Sequence, residues 1–325
     1  MKAVLCREWG GPGSLRFEEI AHAPLRPHEA RIRVHACGVN FADTLMIAGK
    51  YQVKPEFPFT PGLEAAGEII ELGPEIRHLH IGQRVLAVLR FGGAYAEEIT
   101  VNADAVVPIP DKMDFVTAAA FPVAYGTSHF ALTHRGHLKA GETLLVLGAA
   151  GGVGLTAVEI GKQLGARVIA AAGGPDKLAV AREHGADELI DYQRESIRDR
   201  VRELTGGLGA DVVFDPVGGD AFDQALHVVN WEARMLVIGF AAGRIQSVPA
   251  NLILVKNISV TGVVWGAQAA RDPVLVSRNL AELLRWWEAG RLHPVVAKTF
   301  ALRDAGAAME ALLSRQYPGK IVLET

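Results

Sequence analysis

Cysteine is nearly missing from this chain: 325 residues hold only Cys6 and Cys37. Two thiols cannot build a disulfide framework or a four-thiolate structural zinc site, and a reducing compartment is the plain expectation. A dominant charge of one sign is lacking too. Lys and Arg number 33 against 36 Asp and Glu, a net charge of −3. That balance gives no reason to expect nucleic acid or an anionic membrane as partner. No apolar run reaches the roughly 18 residues that suggest a membrane span. The opening MKAVLCREWG reads as a short strand and lacks the apolar stretch of a signal peptide. We therefore expect a cytoplasmic protein with no membrane segment. Internal repeats and low-complexity linkers are missing as well.

Glycine, by contrast, is abundant, with 35 residues, many at the ends of apolar runs. That placement suits a strand-turn-helix alternation. The length suits two domains better than one core. Up to about residue 122 the chain reads as strands and turns. Arg31–Cys37 alternates polar and apolar residues, Ala65–Ile70 and Arg84–Leu89 are further strands, and Pro24, Pro27, Pro55, Pro58, Pro61 and Pro74 punctuate the region. From about residue 123 the rhythm changes. Thr143–Gly148 is a buried-type strand, and Val153, Ala157, Ile160 and Leu164 then fall on one helix face. Strands at Arg167–Ala172, Glu188–Asp191, Asp211–Asp215, Arg234–Gly239 and Ile258–Trp265 continue the alternation, and a long helix runs over Pro273–Ala289 up to Gly290. Strands alternating with helices predict βαβ units and a doubly wound parallel sheet. Gly319–Leu323 reads as a strand returning to the first region. The expectation is an α/β chain with a β-rich domain over 1–122 and 266–325 and a Rossmann-type domain over 123–265.

The stretch LGAAGGVGLT, residues 147–156, joins the first strand of that sheet to its helix. Helix N-termini present unpaired N–H groups and a positive dipole end to an anion. Gly151 and Gly152 leave room for a pyrophosphate against the backbone, and Gly154 lets the helix lie close on the strand. A plain strand-to-helix turn is the alternative. The setting, at the start of an alternating series, favours a dinucleotide. At the end of the second strand an acid would hold the ribose 2′-hydroxyl of NAD. This chain has Ala170-Ala171-Ala172-Gly173-Gly174 there, with no acid. Lys177 offers charge and Tyr192 a hydroxyl to a 2′-phosphate, so NADPH is the expected cofactor. Taken alone, Lys177 would read as a solvated helix residue.

GETLLVLGAAGGVG, residues 141–154, resembles the signature of zeta-crystallin-type quinone oxidoreductases, the zinc-free branch of the medium-chain dehydrogenase/reductase superfamily. ACGVNFADTLMIAGKY at 36–51, FPFTPGLEAAGEI at 57–69, YGTS at 125–128, ADVVFDPVGG at 210–219 and GKIVL at 319–323 extend the resemblance over nearly the whole chain. Ala149 is the family's usual form of the loop. Glu159 departs from it, standing where Gln is usual. The resemblance implies a GroES-like domain beside the Rossmann domain. It places Asn40 and Thr127 near the nicotinamide, the Gly151, Gly152 and Val153 amides on the pyrophosphate, Lys177 and Tyr192 at the 2′-phosphate, and Gly173 among the cofactor-binding residues. Backbone at Phe240 and Val264 would flank the nicotinamide, and Lys320 would reach the cofactor's phosphates. Tyr51 would wall the acceptor pocket.

Zinc alcohol dehydrogenases share this fold, and their catalytic metal needs soft ligands at set positions. Those positions hold Asn40, Leu63 within Gly62-Leu63-Glu64, and the neighbourhood of Pro122, with no cysteine. His78 with His80 and His134 with His137 are the nearest histidine pairs and read as surface or loop residues. We expect no catalytic metal. Polarising a simple ketone without a Lewis acid is hard, so a quinone or activated enone is the expected acceptor. The sequence does not choose between one-electron and two-electron transfer. Asn40 would orient acceptor or nicotinamide, or else cap its own loop; Asp43 reads as structural, and Cys37 as a small buried residue. A 2-enoyl thioester or alkenal reductase is the alternative enzyme, and an NADPH-binding protein without activity the alternative outside catalysis. An apolar edge strand over Ile258–Trp265 predicts a homodimer or higher homo-oligomer.

Overall fold

The computed structural model describes residues 1–325, the side chain of residue 270 excepted. The chain is α/β and divides into two compact units. One comprises Met1–Val123, Ala269–Glu288 and Pro294–Thr325; the other comprises Ala124–Gln268 and Ala289–His293.

The first unit is β-rich. Its spine is the strand Glu29–Val39, in which Ile32 and Val34 turn into the core while Arg33 faces solvent. That alternation is the one visible in the sequence. Glu64–Leu72 pairs antiparallel along one side of the spine. Along the other side lie Glu98–Asn102 and, further on, Lys320–Glu324. Arg84–Val88 and Val106–Pro108 extend one flank of this sheet, and Val296–Ala301 the other. The C-terminal strand thus returns to the first unit. Its register sets Ile321 opposite Val39, and the register on the far side sets Cys37 opposite Ala65. Three chain segments therefore meet at the end of the spine, and the helix Phe41–Ile47 starts there. Val4, Ile69, Val85 and Tyr95 pack the core beneath.

The second unit carries a six-stranded parallel sheet of Thr143–Leu147, Arg167–Ala172, Glu188–Asp191, Ala210–Asp215, Val229–Val237 and Ser259–Gly262. Counted along the chain, these strands lie in the order 3-2-1-4-5-6. Parallel neighbours require crossovers, and the helices that follow the first five strands supply them. The winding reverses between the first and fourth strands. Outside the carboxyl ends at that point, folds of this type bind their ligands.

The sixth strand corrects the sequence reading. It spans only Ser259–Gly262, and Trp265 opens the helix Trp265–Arg271. Packing ends the strand early. Trp265 is buried against Gly126, where a Cβ would run into the indole ring. Burying that ring turns the chain out of the sheet. The strand still forms the sheet edge, but a short one. The long helix spans Pro273–Glu288, and Gly290, at φ +68°, follows it.

Candidate functional site

The first strand of the parallel sheet ends at Leu147, and Gly148 turns the chain with φ +61°. Ala149 and Ala150 are buried, and the Ala149 amide donates to the Ala171 carbonyl, 3.0 Å away, so a methyl group fits the first position of the loop. Gly151 caps the helix Gly152–Gln163 with no side chain of its own. A Cβ on Gly154 would overlap the Gly148 carbonyl oxygen, so this position requires glycine for the helix to sit so close. The first amides of the helix have no intrahelical acceptor. Close backbone approach, unpaired donors and a positive dipole end are what a pyrophosphate needs, and the loop fits one.

The other expected cofactor residues follow the carboxyl ends of neighbouring strands. Gly173 follows the second strand, Tyr192 the third, Phe240 the fifth and Val264 the sixth. Lys177 is half-buried in the first turn of the helix Pro175–Glu183, and Tyr192 is 41% exposed. Thr127 is half-buried on the helix Pro122–His129.

The second strand does end without an acid, yet an acid stands one strand away. Asp191 closes the third strand in register with Ala172. Its Oδ1 accepts from the amides of Gly174 at 3.0 Å and Gln193 at 3.1 Å, and its Oδ2 lies 3.7 Å from Arg194 Nε. The Gly174 amide, with help from Gln193 and Arg194, holds this carboxyl below the usual range. The parallel register, which decides which strand ends are neighbours, is a tertiary fact.

In the first unit, Asn40 is buried at the end of the spine. Its Nδ2 donates to Glu64 Oε1 at 2.8 Å, with a longer approach of 3.5 Å to the Gly38 carbonyl. Its Oδ1 accepts from Lys320 Nζ at 2.6 Å. Lys320 Nζ also donates to Glu64 Oε1 at 2.7 Å and to the Val39 carbonyl at 3.1 Å. These contacts engage the residue expected to reach the cofactor's phosphates. An ammonium has three donors, all three are used inside this unit, and the residue is 7% exposed. Beneath the cluster, Asp43 Oδ2 accepts from the Asn40 amide at 2.8 Å and from Tyr95 Oη at 2.9 Å. Burial pushes the Asp43 carboxyl up to about 7, against the pull of these donors and of Lys320. Tyr51 is half-buried; burial, and then the Asp43 charge, raise its hydroxyl above the ordinary range.

Residues 26–111 match the alcohol dehydrogenase GroES-like domain, and residues 152–282 the zinc-binding dehydrogenase family. The quinone oxidoreductase-like protein 2 homolog of Nematostella vectensis is 41% identical over 326 residues, covering 100% of this chain and 89% of that protein. The chain belongs to the quinone oxidoreductase family. The quinone oxidoreductase of Pseudomonas aeruginosa is 34% identical, covering 99% of each chain. The crystal structure of Escherichia coli quinone oxidoreductase complexed with NADPH superposes with a TM-score of 0.94 at 30% identity, covering 100% of both chains.

In this quinone oxidoreductase family chain the zinc-ligand positions carry other chemistry. Leu63 is buried and has no donor atom, and the Asn40 amide is engaged by Glu64 and Lys320. Among the described residues, no group of three His, Cys, Asp or Glu side chains is placed to hold a metal. His134 stacks on Phe130. Cys37 is buried on the spine, and its Sγ donates to the Ala94 carbonyl at 2.8 Å; burial pushes its thiol well up, away from thiolate chemistry.

Two buried acids make contacts that the sequence does not show. Asp215 ends the fourth strand, and its Oδ1 accepts from the amides of Val217 and Gly218, each at 2.8 Å. Burial raises its carboxyl to about 6. Glu159 accepts from Tyr125 Oη at 2.5 Å and from the His293 amide at 2.9 Å, and lies 2.8 Å from His184 Nδ1. An acid on the buried face of a helix was the available signal for it.

Proposed function

We propose that this protein is a zinc-independent, NADPH-dependent oxidoreductase that passes reducing equivalents to quinones. The observation that carries the reading is the Gly148–Gly154 loop, closed so tightly on its helix that a side chain at Gly154 has no space. The quinone oxidoreductase relatives, and the E. coli structure with its NADPH, support the same assignment.

The amides of Gly151, Gly152 and Val153 hold the pyrophosphate. Gly173, Lys177 and Tyr192 receive the 2′-phosphate. Thr127, Asn40 and the backbone at Phe240 and Val264 orient the nicotinamide, and Tyr51 walls the acceptor. When bound, NADPH supplies the hydride equivalent. Glu64 and Lys320 keep the Asn40 amide from rotating, so its polar atoms are preset rather than ordered during reaction. A quinone spreads the charge it gains over its own ring, so orientation and exclusion of water suffice as the protein's contribution.

The test is an acceptor panel with NADPH. Turnover with 1,2- and 1,4-quinones at least tenfold faster than with a crotonyl thioester is expected. Faster thioester reduction would make the protein an enoyl reductase instead. Tight NADPH binding without oxidation by any acceptor would remove the catalytic reading.

A homo-oligomer joined through the Ser259–Gly262 sheet edge accompanies this proposal. The open backbone edge and the neighbouring exposed Val264, Leu254 and Val255 support it. Light scattering at micromolar concentration reads it directly, and a monomer would sink it. The two reduced, buried cysteines support a reducing compartment, the cytoplasm. Among the described residues, no helix is long and apolar enough to cross a membrane.

A further inference from the structure

Asp191 and Arg194 stand where the adenosine end of a dinucleotide arrives, outside the carboxyl ends of the second and third strands. One carboxylate organises that end. Asp191 Oδ1 takes the Gly174 amide from the turn after the second strand and the Gln193 amide from the turn after the third. The Asp191 carbonyl accepts from the Arg194 and Glu195 amides at 2.9 and 2.8 Å, which closes the turn that carries Tyr192 and Arg194. Over Gly173 the same turn is tight: a Cβ there would come within 2.9 Å of Gln193 Nε2 and 3.1 Å of Tyr192 Cε2. Asp191 is thus a brace between the Lys177-bearing turn and the Tyr192-bearing turn.

Arg194 faces the outer oxygen of the brace. Its Nε is 3.7 Å from Asp191 Oδ2, and its side chain is 77% exposed, leaving most of the guanidinium fork turned to solvent. An Arg fork is suited to bidentate contact with phosphate oxygens. Lys177 and Arg194 are the cations on these two turns, standing among the acids Asp176, Asp191 and Glu195.

We propose that Arg194 is a specificity-determining contact to the 2′-phosphate and that Asp191 is the positioning residue that holds Lys177, Tyr192 and Arg194 around it. This rests on the NADPH reading above. It adds a second cation to the expected set and gives a role to an acid that sequence reasoning overlooked.

The experiment is titration calorimetry of the whole protein with adenosine 2′,5′-bisphosphate and with AMP, which lacks the 2′-phosphate. The affinity ratio of the two is compared in wild type, Lys177→Ala, Arg194→Ala, Asp191→Ala and Asp191→Asn, each checked for an unchanged circular dichroism spectrum. Arg194→Ala is expected to lower the ratio about tenfold with AMP affinity unchanged, the worth of one charge-assisted contact. Asp191→Ala is expected to lower it by as much or more. Asp191→Asn, whose side-chain oxygen still accepts both amides, should stay within about threefold of wild type. A ratio unmoved by Arg194→Ala, or an Asn variant as poor as the Ala variant, overturns the inference while a Lys177→Ala loss leaves NADPH binding standing. A wild-type ratio near one, insensitive to Lys177→Ala, overturns the NADPH reading itself and this inference with it.

Discussion

Lys320 Nζ lies 2.7 Å from Glu64 Oε1 and 2.6 Å from Asn40 Oδ1, joining residues separated by 256 and 280 positions in the chain. The carboxylate is 0% exposed. A carboxylate so placed depends on its cation, because neither water nor a mobile ion replaces it.

Lys320→Met leaves Glu64 buried without a cation. A stability loss of about 3–5 kcal/mol is expected, read as a lowered urea midpoint. A loss under about 1 kcal/mol would show that the pair is not needed for stability.

Asp43 makes stability depend on pH. An unfolded carboxyl titrates near about 4, whereas burial raises Asp43 in the folded chain to about 7. The folded state therefore holds the proton more tightly. The stability this confers is fully present below the unfolded value and is lost as pH rises through about 7. The Tm of the wild type should fall relative to that of Asp43→Asn as pH is raised from about 4 to about 7. Parallel Tm curves across that range would contradict the assignment.

Gly154 has no space for a side chain, whereas a Cβ on Gly151 would sit 3.4 Å from the Gly148 carbonyl oxygen and could be accommodated. Gly154→Val is expected to weaken NADPH binding well over tenfold, measured by nucleotide fluorescence, with the far-ultraviolet spectrum retained. Gly151→Ala should leave the Tm of the unliganded protein unchanged and weaken NADPH by filling the pyrophosphate's space, whereas Gly154→Val should lower that Tm. Equal Tm losses at the two positions would contradict this division.

Lys177→Ala should lower the preference for NADPH over NADH by about 10–100-fold, the worth of one hydrogen bond to a charged group. Affinity for NADH should hardly move. A uniform loss for both cofactors would mean that Lys177 supports the helix and not the phosphate.

Leu63 offers no donor and the Asn40 amide is spoken for, so the catalytic-zinc positions cannot assemble a site by local rearrangement. Prolonged dialysis against a strong chelator is expected to leave quinone reductase activity within error. Loss of activity that zinc restores would reverse this.

The parallel sheet was largely legible because its signals are local. A buried strand needs a run of apolar residues, a covering helix needs a 3.6-residue period, and each turn needs glycine, all within a few residues. The loop at 147–156 was legible for the same reason. The end of the sixth strand was not, because a ring buried against Gly126 decides it. Asn40 stands out in the sequence as a position of interest, but its partners were hidden, since nothing local in GKIVL points to Glu64.

Composition and short-range pattern therefore settled the α/β class and the dinucleotide loop, since each depends on which residues stand within a few positions of one another. The tertiary structure alone decided that Lys320 holds Asn40 and Glu64 and that Asp191 braces Gly174. It decided too that Glu159 joins Tyr125, His184 and His293. Those pairings come from strand register and helix packing. The backbone sets both across hundreds of residues, and a buried polar group then bonds to whatever the fold brings within reach.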